Sequence, residues 1–239
     1  MKKTRKQNNG KIVSWLDSCW QWEQYFGEGG SGIYSAKNIK KARELCPDAD
    51  ILLDVGGNIG QSAIYYADWA QEVWSFEPLP HLYELLVENV QQNNLSNVKT
   101  FNNAVGDVIT TLKMHAPSCD GCSYVATGNK GKNLVSVDAI TLDTLIIPEG
   151  RKVSYIKMDI EGYEPFALKG ALNLIQKYKP IIQLEAIDSL LKRNNYTAVD
   201  VVKFVESLGY TAQLCSGKKI NSATETKKDW KGDIYFLPV

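Results

Sequence analysis

A glycine-rich turn between an apolar run and a helix-like stretch constrains the fold of this chain more than any other feature. The run 51–53 (Ile-Leu-Leu) leads into Asp54-Val55-Gly56-Gly57-Asn58-Ile59-Gly60, and a helix-like stretch, 61–71, follows. Glycines let the backbone turn sharply and let a ligand lie against it, and a helix start offers unpaired N–H groups. A second apolar run, 73–76, ends at Glu77, where an acid suits the two hydroxyl donors of a ribose. The pattern predicts a strand–turn–helix for an adenosine-containing cofactor, although a turn that binds nothing has the same composition.

The spacing of the glycines separates two classes of cofactor. The dinucleotide fingerprint G-x-G-x-x-G needs a glycine where this chain has Asn58. Asparagine tolerates left-handed backbone angles, but its Cβ would crowd a pyrophosphate. An acid at the strand end, Asp54, followed by G-x-x-x-G instead resembles the S-adenosylmethionine loop of class I methyltransferases. We therefore favour S-adenosylmethionine, which has no phosphate, over a nicotinamide dinucleotide.

The charge balance of the chain argues against a nucleic-acid partner. Its 239 residues include 27 Lys and Arg and 27 Asp and Glu, so the formal net charge is zero. Residues 1–7 hold four basic side chains, which we interpret as a solvated basic tail. No run approaches the ~18 apolar residues of a membrane span. Five cysteines, an odd number that includes Cys119 and Cys122, fit a reduced cytoplasmic protein better than a disulfide framework.

Strand-like and helix-like runs alternate from residue 51 to the end of the chain. Alternation at these lengths predicts right-handed βαβ crossovers and an α/β fold with a mostly parallel seven-stranded sheet and helices on both faces. The last two strands are expected to form an antiparallel edge. The predicted strands are 51–55, 73–76, 98–102, 153–158, 181–185, 210–215 and 233–237. The predicted helices are 60–71, 79–93, 163–177 and 198–208.

Two segments lie outside this alternation. Residues 1–50 combine the basic tail with helical and loop stretches, and we expect an N-terminal helical cap ahead of a single domain over 51–239. The aromatic residues of 15–26 either pack on that domain or form a lid over the substrate. Short β-like runs, 111–115 and 134–137, interrupt the alternation, and acceptor specificity is expected to lie in 108–140 and the aromatic stretch.

An acidic turn follows the predicted strand 153–158. Residues 155–164 read Tyr-Ile-Lys-Met-Asp-Ile-Glu-Gly-Tyr-Glu, so three carboxylates and a lysine fall within eight residues. Open α/β sheets bind ligands at the carboxyl ends of their strands, and Lys157 and Asp159 share strand parity and point to one side. Asp159 and Glu161 are therefore candidate functional residues, whereas Glu164 also suits the positive end of a helix dipole.

Five segments taken together resemble the FkbM family of methyltransferases. They are 54–60, 76–78 (Phe-Glu-Pro), 141–145 (Thr-Leu-Asp-Thr-Leu), 156–164 and 169–171 (Lys-Gly-Ala). They occur in that family's order, and the resemblance covers roughly residues 51–215. It implies a Rossmann-like class I methyltransferase fold, S-adenosylmethionine as the donor, and O-methylation of a hydroxyl on a sugar, polyketide or related metabolite. Gly57 stands where many members have alanine.

The resemblance and the strand geometry together assign roles to individual residues. Glu77 is expected to take the ribose hydroxyls, and Asp54 to anchor the glycine turn or the amino group of the cofactor. Asp159 or Glu161 is expected to accept the proton of the acceptor hydroxyl, with Lys157 orienting the pair. The residues expected to bind the cofactor are Asp54, Gly56, Gly57, Asn58, Gly60, Glu77, Asn103, Ala104 and Asp159.

Three alternatives stay open at this point. Asp159, Glu161 and Glu185 are expected to meet at adjacent strand tips, where three carboxylates suit Mg²⁺ or Ca²⁺, although we do not favour a metal. The chain would also fit a non-catalytic cofactor-binding or scaffold module, or a nicotinamide-dependent oxidoreductase. The expected partner is a small-molecule or glycan hydroxyl acceptor.

Overall fold

A computed structural model describes residues 1–7, 9–28, 30, 32–33, 35–116, 123–126, 133–223 and 231–239. The pair Cys119 and Cys122 lies outside them. The strands are β1 (Lys2–Lys6), β2 (Ile12–Leu16), β3 (Ile51–Val55), β4 (Glu72–Phe76), β5 (Val98–Phe101), β6 (Ala104–Val105), β7 (Thr110–His115), β8 (Tyr124–Val125), β9 (Leu134–Ile140), β10 (Val153–Met158), β11 (Ile181–Glu185), β12 (Tyr210–Leu214), β13 (Lys219–Ile220) and β14 (Asp233–Pro238). The helices are α1 (Trp20–Phe26), α2 (Ala36–Leu45), α3 (Ala63–Tyr66), α4 (Pro80–Gln92), α5 (Glu164–Lys169), α6 (Leu172–Tyr178), α7 (Asp188–Leu191) and α8 (Ala198–Ser207).

The central sheet has the strand order β13–β12–β14–β11–β10–β3–β4–β5. The run from β11 to β5 pairs in parallel, whereas β14 lies antiparallel between β11 and β12. Every residue of β3 is buried, as expected for a parallel strand covered on both faces. The chain leaves β3 toward β4 on one side and later returns to β10 on the other. A switch of this kind leaves a crevice at the carboxyl ends of the strands, where open sheets hold their ligands.

The α/β class and the large, mainly parallel sheet are confirmed, but the predicted count of seven strands is wrong. Lys219–Ile220 forms β13, which pairs with β12 and makes the described sheet eight-stranded. A strand of two residues is too short to leave an alternating pattern, so periodicity cannot reveal it.

Two of the predicted helices differ from the helices of the structure. The predicted helix 60–71 is helical only over Ala63–Tyr66. The predicted helix 163–177 divides at Gly170 into α5 and α6. A Cβ at Gly170 would lie 1.9 Å from the carbonyl oxygen of Gly106. The division therefore falls where two backbone segments touch, a contact that apolar periodicity does not encode.

The N-terminal segment, predicted as a solvated basic tail and a helical cap, instead begins with a β-hairpin, which the helices α1 and α2 follow. β1 and β2 pair antiparallel from Lys2 opposite Leu16 to Lys6 opposite Ile12. All β1 side chains are exposed, so no apolar face marks this strand in the sequence. The hairpin is held to α4 by the side chain of Asn89, which accepts from the Ser14 amide and donates to its carbonyl.

The insertion between β5 and β10 forms a second sheet with the order β6–β9–β7–β8. The β-like runs predicted at 111–115 and 134–137 lie within β7 and β9, which pair antiparallel. Met114 and Val137 are buried in a cluster that also contains Trp22 and Leu82. The small sheet, α1 and α4 are thereby packed into one core beside the crevice. Among the described helices, none has the length and apolar character that crossing a membrane requires.

Candidate active site

A cavity of about 440 Å³ opens at the carboxyl ends of β3, β4, β10 and β11. Several residues singled out in the sequence line it: Gly56, Asn58, Glu77, Asn103, Ala104, Asp159, Glu161 and Glu185. Four others are absent from its described lining: Asp54, Gly57, Gly60 and Lys157. The structure thus brings the glycine turn and the acidic turn to one cavity. Some residues of each line the cavity, and others lie beneath its wall.

The glycine turn packs tightly against the strands around it. Gly56, Asn58 and Gly60 all have positive φ, at 86°, 48° and 83°. A Cβ at Gly56 would lie 2.0 Å from the carbonyl oxygen of Asp159, so the turn touches the end of β10. A Cβ at Gly57 would lie 2.2 Å from Ser75 Oγ. Gly57 therefore packs directly against β4, where the structure leaves no space for a Cβ.

Glu77 is fixed at the end of β4 by two backbone donors. Its Oε2 accepts from the Asn58 amide at 2.8 Å, and its Oε1 accepts from the Leu79 amide at 2.9 Å. The residue is 5% exposed, and burial raises the pKa of its carboxyl to about 7 despite these donors. A carboxylate has about four acceptor positions, so each oxygen keeps capacity for a hydroxyl from the cavity.

A buried ion pair lies beneath the turn. Lys157 Nζ is 3.1 Å from Asp54 Oδ1 and donates to the Gly56 carbonyl at 2.9 Å. It also lies 3.6 Å from Asp159 Oδ2, and Ser75 donates to Asp54. Burial opposes the charge of Lys157, but the two carboxylates more than offset it and hold its pKa above the ordinary value. This lysine therefore ties β3, the glycine turn and Asp159 together as a permanent cation.

Three carboxylates meet at the other end of the cavity. Asp159, Glu161 and Glu185 each present one oxygen within 4.8 Å of the others. Burial and then the charge of Asp159 raise the pKa of Glu161 to about 8, and the same causes raise that of Glu185 to about 9. At neutral pH these two groups therefore bind protons. The set offers a proton acceptor flanked by proton donors, or three oxygen ligands for a divalent cation.

The backbone of the acidic turn brings a further wall to the cavity. Glu161 and Gly162 have positive φ, at 57° and 98°. A Cβ at Gly162 would lie 2.5 Å from the Leu190 carbonyl oxygen, so the turn packs directly on α7. Leu190 and Ser189 of that helix line the cavity. The sequence gives no motif for these two residues, which follow the end of β11 closely and lie on the helix that packs against the acidic turn.

The opposite wall combines two residues predicted to bind the cofactor with apolar side chains for which the sequence gives no motif. Asn103 and Ala104 follow β5 and lie beside the apolar side chains of Leu82 and Met114. Trp22, from the aromatic stretch, lines the cavity and is 2% exposed. Trp22 is therefore packed in the core and also borders the cavity, and the lid over the substrate stays a prediction. An apolar wall with a few polar groups suits a planar base.

Several buried polar side-chain atoms without a hydrogen-bond partner belong to residues that line this cavity. Among the described residues, Oε1 of Gln21, Oε1 of Gln61, Oγ of Ser123 and Oε2 of Glu185 are buried and form no hydrogen bond. All four residues line the cavity. Native proteins satisfy most buried polar groups, so this arrangement is that of a site completed by a ligand.

Known proteins similar to this chain are methyltransferases. Residues 54–212 match the model of the methyltransferase FkbM domain. The chain is 28% identical over 148 residues to Hexuronic acid methyltransferase AglP of Haloferax volcanii, covering 60% of this chain and 59% of that protein. It is 25% identical over 147 residues to Methyltransferase 1 of Beauveria bassiana, covering 52% of this chain and 59% of that protein. The chain thus spans about 59% of the length of these two relatives.

Solved structures share the fold. The crystal structure of Methyltransferase FkbM from Methylobacillus flagellatus KT has a TM-score of 0.52 at 21% identity, covering 80% of this chain and 44% of that chain. A TehB-like SAM-dependent methyltransferase from Corynebacterium glutamicum has a TM-score of 0.52 at 11% identity, covering 92% of this chain and 95% of that chain. At these identities the similarity concerns the fold alone.

Proposed function

The chain belongs to the FkbM methyltransferase family, whose domain model matches residues 54–212, and we propose that it transfers a methyl group from S-adenosylmethionine to a hydroxyl of a sugar, glycan or secondary metabolite. The observation that carries this proposal is a single cavity with Glu77 at one strand end and the carboxylates of Asp159, Glu161 and Glu185 at others. β4 and β11 are three strand spacings apart, or about 14 Å. That span leaves room for a nucleoside, its tail and an acceptor.

The residues of the cavity fit this cofactor. Glu77 keeps acceptor capacity for the two ribose hydroxyls while backbone amides hold it in place. Asn103, Ala104 and the apolar wall around Met114 suit the adenine. The close approach of Gly56 to Asp159 brings the turn under the tail next to the acceptor carboxylates. Lys157 and Asp54 act from beneath, as residues that position the turn.

Methyl transfer requires no covalent intermediate with the protein. S-adenosylmethionine supplies an electrophilic methyl group on a positively charged sulfur, so the chain must align the acceptor hydroxyl and remove its proton. We assign the proton acceptor to Asp159, which the Lys157 ammonium orients at 3.6 Å. Glu161 and Glu185 bind protons at neutral pH because their pKa values are raised, and they hold the acceptor oxygen by hydrogen bonds.

A sugar acceptor is supported by one relative. The Haloferax volcanii protein, 28% identical, is a hexuronic acid methyltransferase. Sugar hydroxyls both donate and accept hydrogen bonds, and the acceptor end of the cavity holds both carboxylate oxygens and protonated carboxyls. We therefore extend the proposal to a uronic acid or a glycan that carries one.

A transfer assay tests this function. The chain is incubated with methyl-labelled S-adenosylmethionine and a panel of uronic acids, their glycosides, neutral sugars and hydroxylated metabolites. We expect label on one hydroxyl of an acceptor, located by mass spectrometry. Asp159→Asn should lower kcat by about 10²–10⁴-fold with cofactor affinity retained. Cofactor binding without transfer to any acceptor would favour a non-catalytic binding module.

A further inference from the structure

Two glutamine side chains line the cavity without a role in the steps above. Gln61 follows the glycine turn directly and is 3% exposed. Gln21 lies on α1, outside the residues 54–212 that the family model matches. The amide oxygens of both are buried and accept no hydrogen bond from the described residues. Each of these two amide oxygens can therefore accept a hydrogen bond from a ligand.

A glutamine outside the cavity that is buried to the same extent as Gln61 has all of its hydrogen bonds within the protein. Gln183 is also 3% exposed, yet both ends of its amide are bonded. Its Oε1 accepts from the Tyr155 hydroxyl at 2.8 Å, and its Nε2 donates to Asp233 at 2.7 Å. A buried amide without a partner destabilises the protein. The open amides of Gln21 and Gln61 therefore indicate a bound group that completes them.

Their place in the cavity identifies which part of a ligand they meet. Gln61 comes one residue after Gly60 and so belongs to the turn. Trp22, the neighbour of Gln21, packs in one cluster with Ile59 of the same turn. α1 thus packs against the glycine turn, and Gln21 and Gln61 line the same cavity. In the proposed binding mode, this is where the amino-acid tail of the cofactor lies.

We propose that Gln61 and Gln21 bind the amino-acid tail of S-adenosylmethionine, with their amide oxygens accepting hydrogen bonds from its ammonium group. An ammonium has three donors, enough for both oxygens. A neutral amide holds this group without adding a further carboxylate to a cavity that already contains Asp159, Glu161 and Glu185. The inference rests on the proposed function and adds that α1, outside the matched domain, completes the cofactor site.

Two nucleosides that differ in the tail test the inference by calorimetric titration of the full chain. S-adenosylhomocysteine carries the amino-acid tail, and 5′-methylthioadenosine lacks it. Gln61→Leu and Gln21→Leu should each lower the affinity for S-adenosylhomocysteine roughly tenfold to hundredfold. This is the loss expected for one hydrogen bond to a charged group. Binding of 5′-methylthioadenosine should stay unchanged. An equal loss for both nucleosides would overturn the inference.

Thermal unfolding without ligand separates a ligand contact from a structural role. Leucine in place of Gln61 removes an unsatisfied buried amide, so the unfolding temperature should stay the same or rise. The matched control, Gln183→Leu, breaks two internal hydrogen bonds and should lower it. A similar fall for Gln61→Leu would show a structural role and overturn the inference. If the unsubstituted chain bound neither nucleoside, the proposed function would be overturned as well.

Discussion

Gly57→Ala tests how the glycine turn fits against β4. A Cβ at residue 57 would lie 2.2 Å from Ser75 Oγ, and Ser75 donates to Asp54 at 2.9 Å. Gly57 does not have positive φ, so alanine meets no backbone strain and gains ~0.4–1 kcal/mol through the unfolded state. The methyl group either stays overpacked against Ser75, at a cost of ~1–3 kcal/mol, or is accommodated by rotation of Ser75 away from Asp54, at a cost of ~1.5–3 kcal/mol. We therefore expect a net loss of about 1–2 kcal/mol in the free energy of unfolding.

A double-mutant cycle with Ser75→Ala isolates this contact. Ser75→Ala removes the oxygen that the new methyl group would strike, together with its hydrogen bond to Asp54. The double variant should then be more stable than Ser75→Ala alone by the ~0.4–1 kcal/mol that alanine gains through the unfolded state, giving a coupling energy of about 1.5–3 kcal/mol. Urea unfolding followed by tryptophan fluorescence measures all four proteins. Additive losses, or a Gly57→Ala variant as stable as the parent, would refute the reasoning.

Three further predictions follow from the charged groups of the site. Lys157→Met leaves the Asp54 carboxylate buried without its cation, so urea unfolding should show a loss of ~3–5 kcal/mol, partly recovered by adding Asp54→Asn. The pKa of Glu161 in the folded protein is about 8, raised from 4.5. Its contribution to stability is therefore present below pH 4.5 and is lost as the pH rises toward 8. In thermal unfolding scans across pH, Glu161→Gln should reduce this fall in the unfolding temperature. EDTA should leave turnover unchanged, and a loss that Mg²⁺ restores would instead assign a metal to Asp159, Glu161 and Glu185.

The parts of the fold and site that could be predicted from the sequence are those determined by short contiguous segments. The turn 54–60 and the acidic turn 155–164 each follow a strand, and parallel strands bring their carboxyl ends to one edge. The order of strands then places Glu77, Asp159 and Glu185 around one cavity. A strand end and its first following residues thus carry enough information to locate these side chains.

The rest depends on contacts between distant segments. Gln21 and Trp22 reach the cavity because α1 packs on the glycine turn, and Leu190 does so because Gly162 admits α7. β1 has only exposed side chains and exists through pairing with β2, so its residues show no apolar period. The close packing of Gly57 on Ser75 is likewise a contact between distant segments that the spacing of the glycines does not reveal.

Calorimetric titration with S-adenosylmethionine and, separately, with NADH tests the central claim most directly. We predict one-site binding of S-adenosylmethionine and no heat with NADH. Glu77→Ala should lower the affinity for S-adenosylmethionine roughly tenfold to hundredfold, because the two ribose hydroxyls lose a charged hydrogen-bond acceptor. Equal affinity in the parent and Glu77→Ala, or binding of NADH in place of S-adenosylmethionine, would contradict the account.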